Sequence, residues 1–176
     1  MKKNNGFTLI ETLVVIFLMG IILVGGGGLF FNIMKGASKA EVEKEVKQNG
    51  NYAMAIMERM IKNSATSGII LCDPNFLIVQ SVDGGKTKFQ LNIDKIASSS
   101  GEPLYDNHLY LTGDNVKVTS LTFACVRKPL ASPDVKDIRR VEISFSLTPA
   151  GGSKEAPETY AEINFQTSVS LRNFEE

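Results

Sequence analysis

An uncharged, apolar stretch from Thr12 to Met34 limits the folds open to this chain more than any other feature. As a helix, about 20 apolar residues cross the hydrocarbon core of a bilayer. Lys2 and Lys3 precede the stretch, and the positive-inside rule keeps such residues in the cytoplasm. From Lys35 onward the composition is that of a folded domain, which would lie outside. The sequence therefore predicts a single-pass membrane protein.

The overall charge argues against one class of function. Lys and Arg number 19, and so do Asp and Glu, so the formal net charge is zero. A nucleic-acid-binding protein that relies on a global basic field is therefore not expected. A local basic patch stays open, although solvated surface charge is the default interpretation, for Lys44, Arg127, Lys128, Arg139 and Arg140.

A short motif begins the apolar stretch: residues 6–11 read GFTLIE behind a basic leader. This run resembles the class III signal of type IV pilins, type II secretion pseudopilins and competence pseudopilins. The resemblance implies that prepilin peptidase cuts between Gly6 and Phe7, releasing residues 1–6, and that Phe7 becomes N-methylated. It also implies the lipid bilayer, other pilin or pseudopilin subunits and an inner-membrane assembly platform as partners.

Physical chemistry supports these roles. A glycine before the cut allows a protease to hold the backbone closely, because Gly6 has no Cβ. Glu11 lies just inside the apolar segment, where a charge needs a partner. Cleavage creates a cationic amine on Phe7, and the resemblance implies that Glu11 pairs with that amine on a neighbouring subunit. An unpaired carboxylate in an apolar filament core would cost several kcal/mol, so the pair would set axial register.

Two other interpretations of this region compete with the first. A conventional signal peptide would be cut near Ser38-Lys39-Ala40, but its apolar core is normally shorter and an acid such as Glu11 is normally absent. An ordinary membrane anchor with a chance glutamate is the second, but ionisable residues inside such spans are rare and usually functional.

The sequence divides into four segments: a leader at 1–6, a transmembrane or filament-core helix at 7–34, an amphipathic helix at 35–67 and a β-rich head at 68–176. The glycines at 25–28 predict either local unwinding in a filament or close packing of helices. The spacing at Ser38–Glu41 is that of a capping box, which marks either a fresh helix start or a position within one continuous helix.

Apolar residues recur at helical spacing in the amphipathic segment and predict one buried stripe. We assign its methionines at 54, 57 and 60 to the core rather than to a cofactor site. Gly50 interrupts the stripe, where it either bends the helix or admits a close neighbour. The stripe consists of Val42, Val46, Ala53, Ile56, Met57, Met60 and Ile61.

The head has the pattern of antiparallel strands, because no long helical segment separates them. Residues 94–103 are predicted to form a polar loop, and Arg127–Asp137 another. The parity of apolar residues changes near Thr119-Ser120, which predicts a β-bulge there. The predicted strands are Ile69–Cys72, Phe76–Val82, Lys86–Ile93, His108–Thr112, Val116–Cys125, Ile138–Leu147 and Tyr160–Leu171. The fold class is thus α+β, with a long N-terminal helix packed on a mainly antiparallel sheet, as in pilins.

Cys72 and Cys125 are the two cysteines, and both fall in strands of the exported head. An exported location permits a disulfide between them. Two buried free cysteines are the alternative, because sequence alone does not give the separation of their Cβ atoms.

Residues typical of catalysis are scarce. His108 is the one histidine, which forms no metal cluster, and no nucleotide-binding or nucleophile motif is present. We therefore expect no enzyme activity, no cofactor and no metal. The leading function is a structural subunit, a minor pilin or pseudopilin, in the cytoplasmic membrane and then in a periplasmic or extracellular filament. The alternative is a pilin-like module that binds DNA, a surface or a secreted substrate; a membrane-anchored enzyme is third.

Overall fold

One continuous helix dominates the computed structural model, which describes residues 6–100, 107–127 and 138–171. Helix α1 spans Leu9–Lys62 and includes the glycines at 25–28. It also runs uninterrupted through Ser38–Glu41, so the capping-box spacing there does not start a second helix. The two predicted helical segments therefore form one continuous helix.

The last third of α1 forms the helical side of the core. Val46, Ala53, Met57 and Ile61 are fully buried, and Met54 nearly so. These residues are spaced by three, four or seven, so they share one face. The predicted stripe is confirmed except at Val42, which is half-buried and outside the core. The assignment of the methionines is confirmed too, with Met54 and Met57 in the core and Met60 packed against it.

Helix α1 ends earlier than the predicted boundary at residue 67. The N–H of Asn63 donates to the carbonyl of Arg59 at 3.0 Å, and the Ser64 hydroxyl donates to the carbonyl of Ile61 at 2.7 Å. Ser64 then pairs with Ser81 as the first residue of β1. The polar residues after the helix belong to a strand because an adjacent strand pairs with them, a tertiary effect that local propensity does not report.

Eight strands follow within the described residues, and every pairing among them is antiparallel, which confirms the α+β class. They form two sheets where the sequence predicted one: a five-stranded sheet in the order β1-β2-β3-β4-β5 and a three-stranded sheet in the order β6-β7-β8. The strands are β1 Ser64–Asp73, β2 Phe76–Ser81, β3 Lys86–Asn92, β4 Lys95–Ser100, β5 Asn107–Tyr110, β6 Val116–Arg127, β7 Ile138–Pro149 and β8 Ile163–Ser170.

The prediction of a polar loop at 94–103 is wrong for its first part, because Lys95–Ser100 is strand β4. This strand pairs with β3 through a two-residue turn at Ile93-Asp94. Ile96 and Ala97 are fully buried and Ser99 nearly so. The serines of this strand have low β propensity, so the sequence pattern did not indicate a strand. They form one because β4 pairs with β3 on one side and with β5 on the other. Residues 101–103 lie outside the described residues.

The three-stranded sheet confirms the predicted alternation. Val141, Ile143, Phe145 and Leu147 of β7 are buried. In β6 the pairing shifts between Val118 and Ser120, so Thr119 is the extra residue of a β-bulge, as predicted. The loop predicted at Arg127–Asp137 starts one residue too early, because Arg127 is the last residue of β6. The rest of that predicted loop lies outside the described residues.

The two sheets meet where β6 runs past the ends of the strands of the larger sheet. The N–H of Phe123 donates to the carbonyl of Pro74 at 3.0 Å, and the N–H of Val118 donates to the carbonyl of Asp94 at 2.8 Å. Both acceptors lie in turns of the larger sheet, so β6 is bonded to turns on one side and to β7 on the other. The two sheets thereby enclose one core with α1.

Candidate functional site

The motif residues lie at the start of α1 and just before it. Thr8 is the N-cap in an extended conformation, and its carbonyl accepts the N–H groups of Glu11 and Thr12 at 3.1 and 3.2 Å. The helix begins here because an N-cap threonine followed three residues later by a glutamate is a helix-start signal. Gly6 and Phe7 therefore precede the helix, in chain that belongs to no helix or strand.

Glu11 is exposed in the first helical turn. Its Oε2 accepts the backbone N–H of Thr8 at 3.5 Å, a long contact. A carboxylate in a first turn is also favoured by the positive end of the helix dipole. The glutamate is thus held near the helix start with room for a further hydrogen-bond donor, since a carboxylate accepts several.

The apolar segment of α1 is not buried against the head. Its large side chains are exposed from Phe7, at 77 %, to Met34, at 56 %. By length and composition this is a helix able to cross a membrane, and no part of its most apolar window is buried within the chain. Such a continuous apolar surface requires another apolar environment.

The helix is fixed to the head by polar contacts where it enters. The N–H of Gly113 donates to Oδ1 of Asn49 at 2.9 Å. The side-chain amide of Asn115 donates to the carboxylate of Glu45. The backbone carbonyl of Asn115 accepts the N–H of Ala150 at 2.9 Å. The turn after β5 therefore binds one turn of α1, at the end of the head that is nearer the apolar segment.

Deeper in the head, Phe165 of β8 packs directly over Gly50 and stacks on Phe145, with ring centroids 5.0 Å apart. Two roles were predicted for Gly50, and the structure shows the second, in which the glycine admits a close neighbour. About two turns further along α1, Oε1 of Glu58 accepts the Thr167 hydroxyl at 2.6 Å. The strand β8 is thereby held along α1.

A disulfide joins Cys72 of β1 to Cys125 of β6, with the Cα atoms 6.5 Å apart. It connects the two sheets beside the hydrogen bond between Phe123 and Pro74. The covalent link therefore reinforces the junction at which the smaller sheet meets the larger one.

The other residues considered from the sequence are dispersed. His108 is exposed on β5, Lys44 is exposed on α1, and Arg140 forms an ion pair with Glu142 at 3.0 Å. Lys128 lies outside the described residues, and so do Lys2 and Lys3 of the leader. Within the described ranges, no group of three or more His, Cys, Asp or Glu side chains is placed to hold a metal ion.

Sequence reasoning missed the polar junction of Asn49, Glu45, Gly113 and Asn115. A signal was present, because Asn49 precedes Gly50 within a helical pattern, and both residues have low helix propensity. Their partners, however, are far away in sequence. Gly113, the partner of Asn49, lies 64 positions further along the chain (113 − 49). Phe165, the partner of Gly50, lies 115 positions further along (165 − 50). Local patterns do not identify such partners.

Comparisons with known proteins agree with the N-terminal geometry. The model of the prokaryotic N-terminal methylation motif matches residues 1–27. Among solved structures, the chain is similar to a type IV-like pilin from Thermus thermophilus, with a TM-score of 0.46 and 13 % identity over 73 % of this chain and 98 % of that one. The chain has no significant match among curated proteins. The resemblance of the first residues is thus confirmed: this chain carries the prokaryotic N-terminal methylation motif.

Proposed function

We propose that this chain is a subunit of a type IV pilus-like filament, a minor pilin or pseudopilin. Prepilin peptidase would remove residues 1–6, Phe7 would be methylated, and the head would lie outside the cytoplasmic membrane. The methylation motif supports this proposal. So does the apolar segment of α1, which is exposed along its length and begins with that motif.

The carrying observation is the placement of Glu11. It is a carboxylate within an exposed apolar helix surface, one turn from the residue that would gain a free amine. Its hydrogen bond to the Thr8 N–H is 3.5 Å long and leaves most of its accepting capacity open. In a bundle of parallel helices, the Phe7 amine of a neighbour would be the partner that neutralises this charge.

Processing is tested first. Mass spectrometry of the mature protein should find Phe7 at the N-terminus, carrying one added methyl group. A mature chain that begins near Lys39 or Glu41 would instead establish a conventional signal peptide.

Assembly is tested by Glu11→Ala. Insertion should be normal because the span becomes more apolar, and cleavage should proceed because Gly6 remains. Co-fractionation with sheared filaments should fall relative to the membrane pool, since the incoming subunit lacks its charge partner. Glu11→Gln should behave like alanine because it keeps the shape without the charge.

The matched control is Glu41→Ala, which removes an exposed carboxylate from the same helix beyond the apolar segment. It should enter filaments as the unmodified chain does. If Glu11→Ala enters filaments equally well, Glu11 has no role in registration.

A further inference from the structure

The turn between β3 and β4 has a residue that does not suit it. Asn92 pairs with Lys95 across the turn, and Ile93 at its first central position has a φ of 56°. A positive φ at this position alone is the pattern of a type II′ turn, in which glycine is strongly favoured. Ile93 is the one non-glycine residue with positive φ among those the structure describes. A β-branched residue in this region is strained.

The side chain of Ile93 gains nothing from the head in return. It is 83 % exposed, and Val82 in the turn between β2 and β3 is 80 % exposed. These are the two most exposed large apolar side chains in the described strands and turns that follow α1. Strain and exposure both disfavour an isoleucine at this position. No contact within the described part of the head compensates for them, which points to a contact with another molecule.

Beside Ile93 lies a cavity of about 260 Å³, which we call the Ile93 socket. Ile93, Tyr110 and Val116 supply apolar surface, and Lys95 and Lys117 lie at its rim. Lys95 pairs with Asp114 and lies over the Tyr110 ring, and Lys117 lies 3.7 Å from Asp94. Small-molecule pockets are generally larger, about 300–1,000 Å³. The socket is therefore suited to an inserted side chain.

Strand β3 places the Val82 turn and the Ile93 socket at opposite ends of the sheet. Its seven residues separate them by about 20 Å, so the two surfaces cannot meet within one molecule. Anchors inserted in the same direction orient all copies alike, and an array of such copies is built by head-to-tail contacts between different surfaces. A turn at one end and a cavity at the other satisfy this requirement.

The Ile93 socket is lined by two lysines and two aspartates, and Lys117 is the more exposed of the lysines. Asp83 follows Val82, and its carboxylate accepts the Gly85 N–H at 3.1 Å. This hydrogen bond holds the pKa of Asp83 below its ordinary value. An exposed aspartate is ionised at neutral pH in any case, so this carboxylate is negatively charged. The side chain of Lys117 at the socket is 51 % exposed and its ion pair with Asp94 is long, so it can accept a second carboxylate.

We propose that the Ile93 socket receives the β2–β3 turn of a neighbouring copy of this chain, with Val82 against Ile93 and Tyr110 and with Asp83 at Lys117. The proposal rests on the proposed function only in requiring anchors that point the same way. It assigns the head, rather than the apolar helix alone, a direct part in contacts between copies.

A photo-crosslinking amino acid at position 93 tests the occupant. The full-length chain is produced in two isotopic forms in the same membranes, so that crosslinks between copies are distinguished by mass. The expected product joins position 93 of one copy to residues 81–85 of another. Crosslinks to a different segment, to another protein or to lipid would overturn the proposal, as would an absence of crosslinks.

Ile93→Gly separates binding from folding, because its two effects have opposite signs. Glycine relieves the strained φ, so the thermal unfolding temperature of the full-length protein in detergent should rise. With the photo-crosslinker moved to position 82, the yield of crosslinked copies should fall by about tenfold or more, because the buried apolar contact is lost. A fall in stability, or an unchanged yield, would contradict the proposal.

Leu109→Ala is the matched control, since Leu109 is 67 % exposed on β5 and is not part of the socket. Lys117→Glu should lower the crosslink yield, and adding Asp83→Lys should restore it. A double variant that stays low would count against the assigned charge pairing.

Measuring the same crosslinks in the Glu11→Ala chain keeps the two proposals separate. Crosslinks that persist there while filament entry is lost would support both. Persistence with normal filament entry would contradict the role of Glu11 alone.

Discussion

The ring of Phe165 occupies the space where residue 50 would carry a Cβ atom: an ideal Cβ on Gly50 would lie 2.1 Å from Cζ of that ring. The ring cannot retreat freely, because it stacks on Phe145, which is buried. The helix and β8 thus approach each other at a distance that only glycine permits.

Gly50→Ala should therefore destabilise the protein despite the better helix propensity of alanine. Overpacking costs about 1–3 kcal/mol, and propensity returns about 1 kcal/mol. Denaturant unfolding of the full-length protein in detergent measures the difference. Gly36→Ala is the control, because no atom lies within 4 Å of its added Cβ. A Gly50→Ala variant as stable as Gly36→Ala would refute the steric argument.

The disulfide should form when the protein is produced in an oxidising compartment. Thiol labelling of the unfolded, unreduced chain should find no reactive cysteine. Replacing both Cys72 and Cys125 by alanine should lower the free energy of unfolding by about 4 kcal/mol in the chain-entropy model, given a sequence separation of 53. Two reactive thiols in the unreduced protein would show that the bridge is not made.

Glu58 should make stability depend on acid. The Thr167 hydroxyl and then Lys62 lower its pKa below the ordinary value of 4.5. A depressed pKa in the folded state contributes stability above pH 4.5, and that contribution is lost as the pH falls through the folded pKa. Wild type should exceed Glu58→Gln in unfolding temperature at pH 7, and the gap should narrow below pH 4.5.

Thr167→Val serves as the companion variant, because it removes the largest cause of the shift. Combined with Glu58→Gln, it should lower stability by less than the sum of the single changes. A gap that is constant from pH 7 to acid would exclude an ionised Glu58 as its source.

Asn49→Ala should loosen the entry of the helix into the head. It removes the acceptor of the Gly113 N–H, a loss of about 0.5–1.5 kcal/mol. Hydrogen exchange at the Gly113 amide should accelerate. Gln48→Ala, on the neighbouring exposed position, should leave that exchange rate unchanged.

Patterns of apolar residues predicted much of this fold. The helical stripe ending at Ile61 and the alternation in β7 depend on burial of one face, which periodicity reports directly. Even the bulge at Thr119 was predictable, because parity changes when one residue is added. The motif at Gly6, Phe7 and Glu11 was likewise local in sequence.

What sequence did not predict has a common cause in tertiary partners. Strand β4 begins after a turn that uses Ile93 where glycine is expected, so no turn signal announced it. The hydrogen bond between Asn49 and Gly113 joins residues far apart in the chain. So does the contact of Phe165 with Gly50. The division into two sheets follows from β6 bonding to turns rather than to a strand, which no periodicity contains.

The cross-link between Cys72 and Cys125 encloses strands β2 to β5 and most of β6 in a covalent ring. A protease that cuts the backbone once anywhere within that ring leaves the chain a single molecule, with both new ends still attached through the bridge. Helix α1 and the strands from β7 onward lie outside the ring and would stay connected through the bridge. A head built this way stays in one piece after a nick on its larger sheet that would divide an unbridged chain in two.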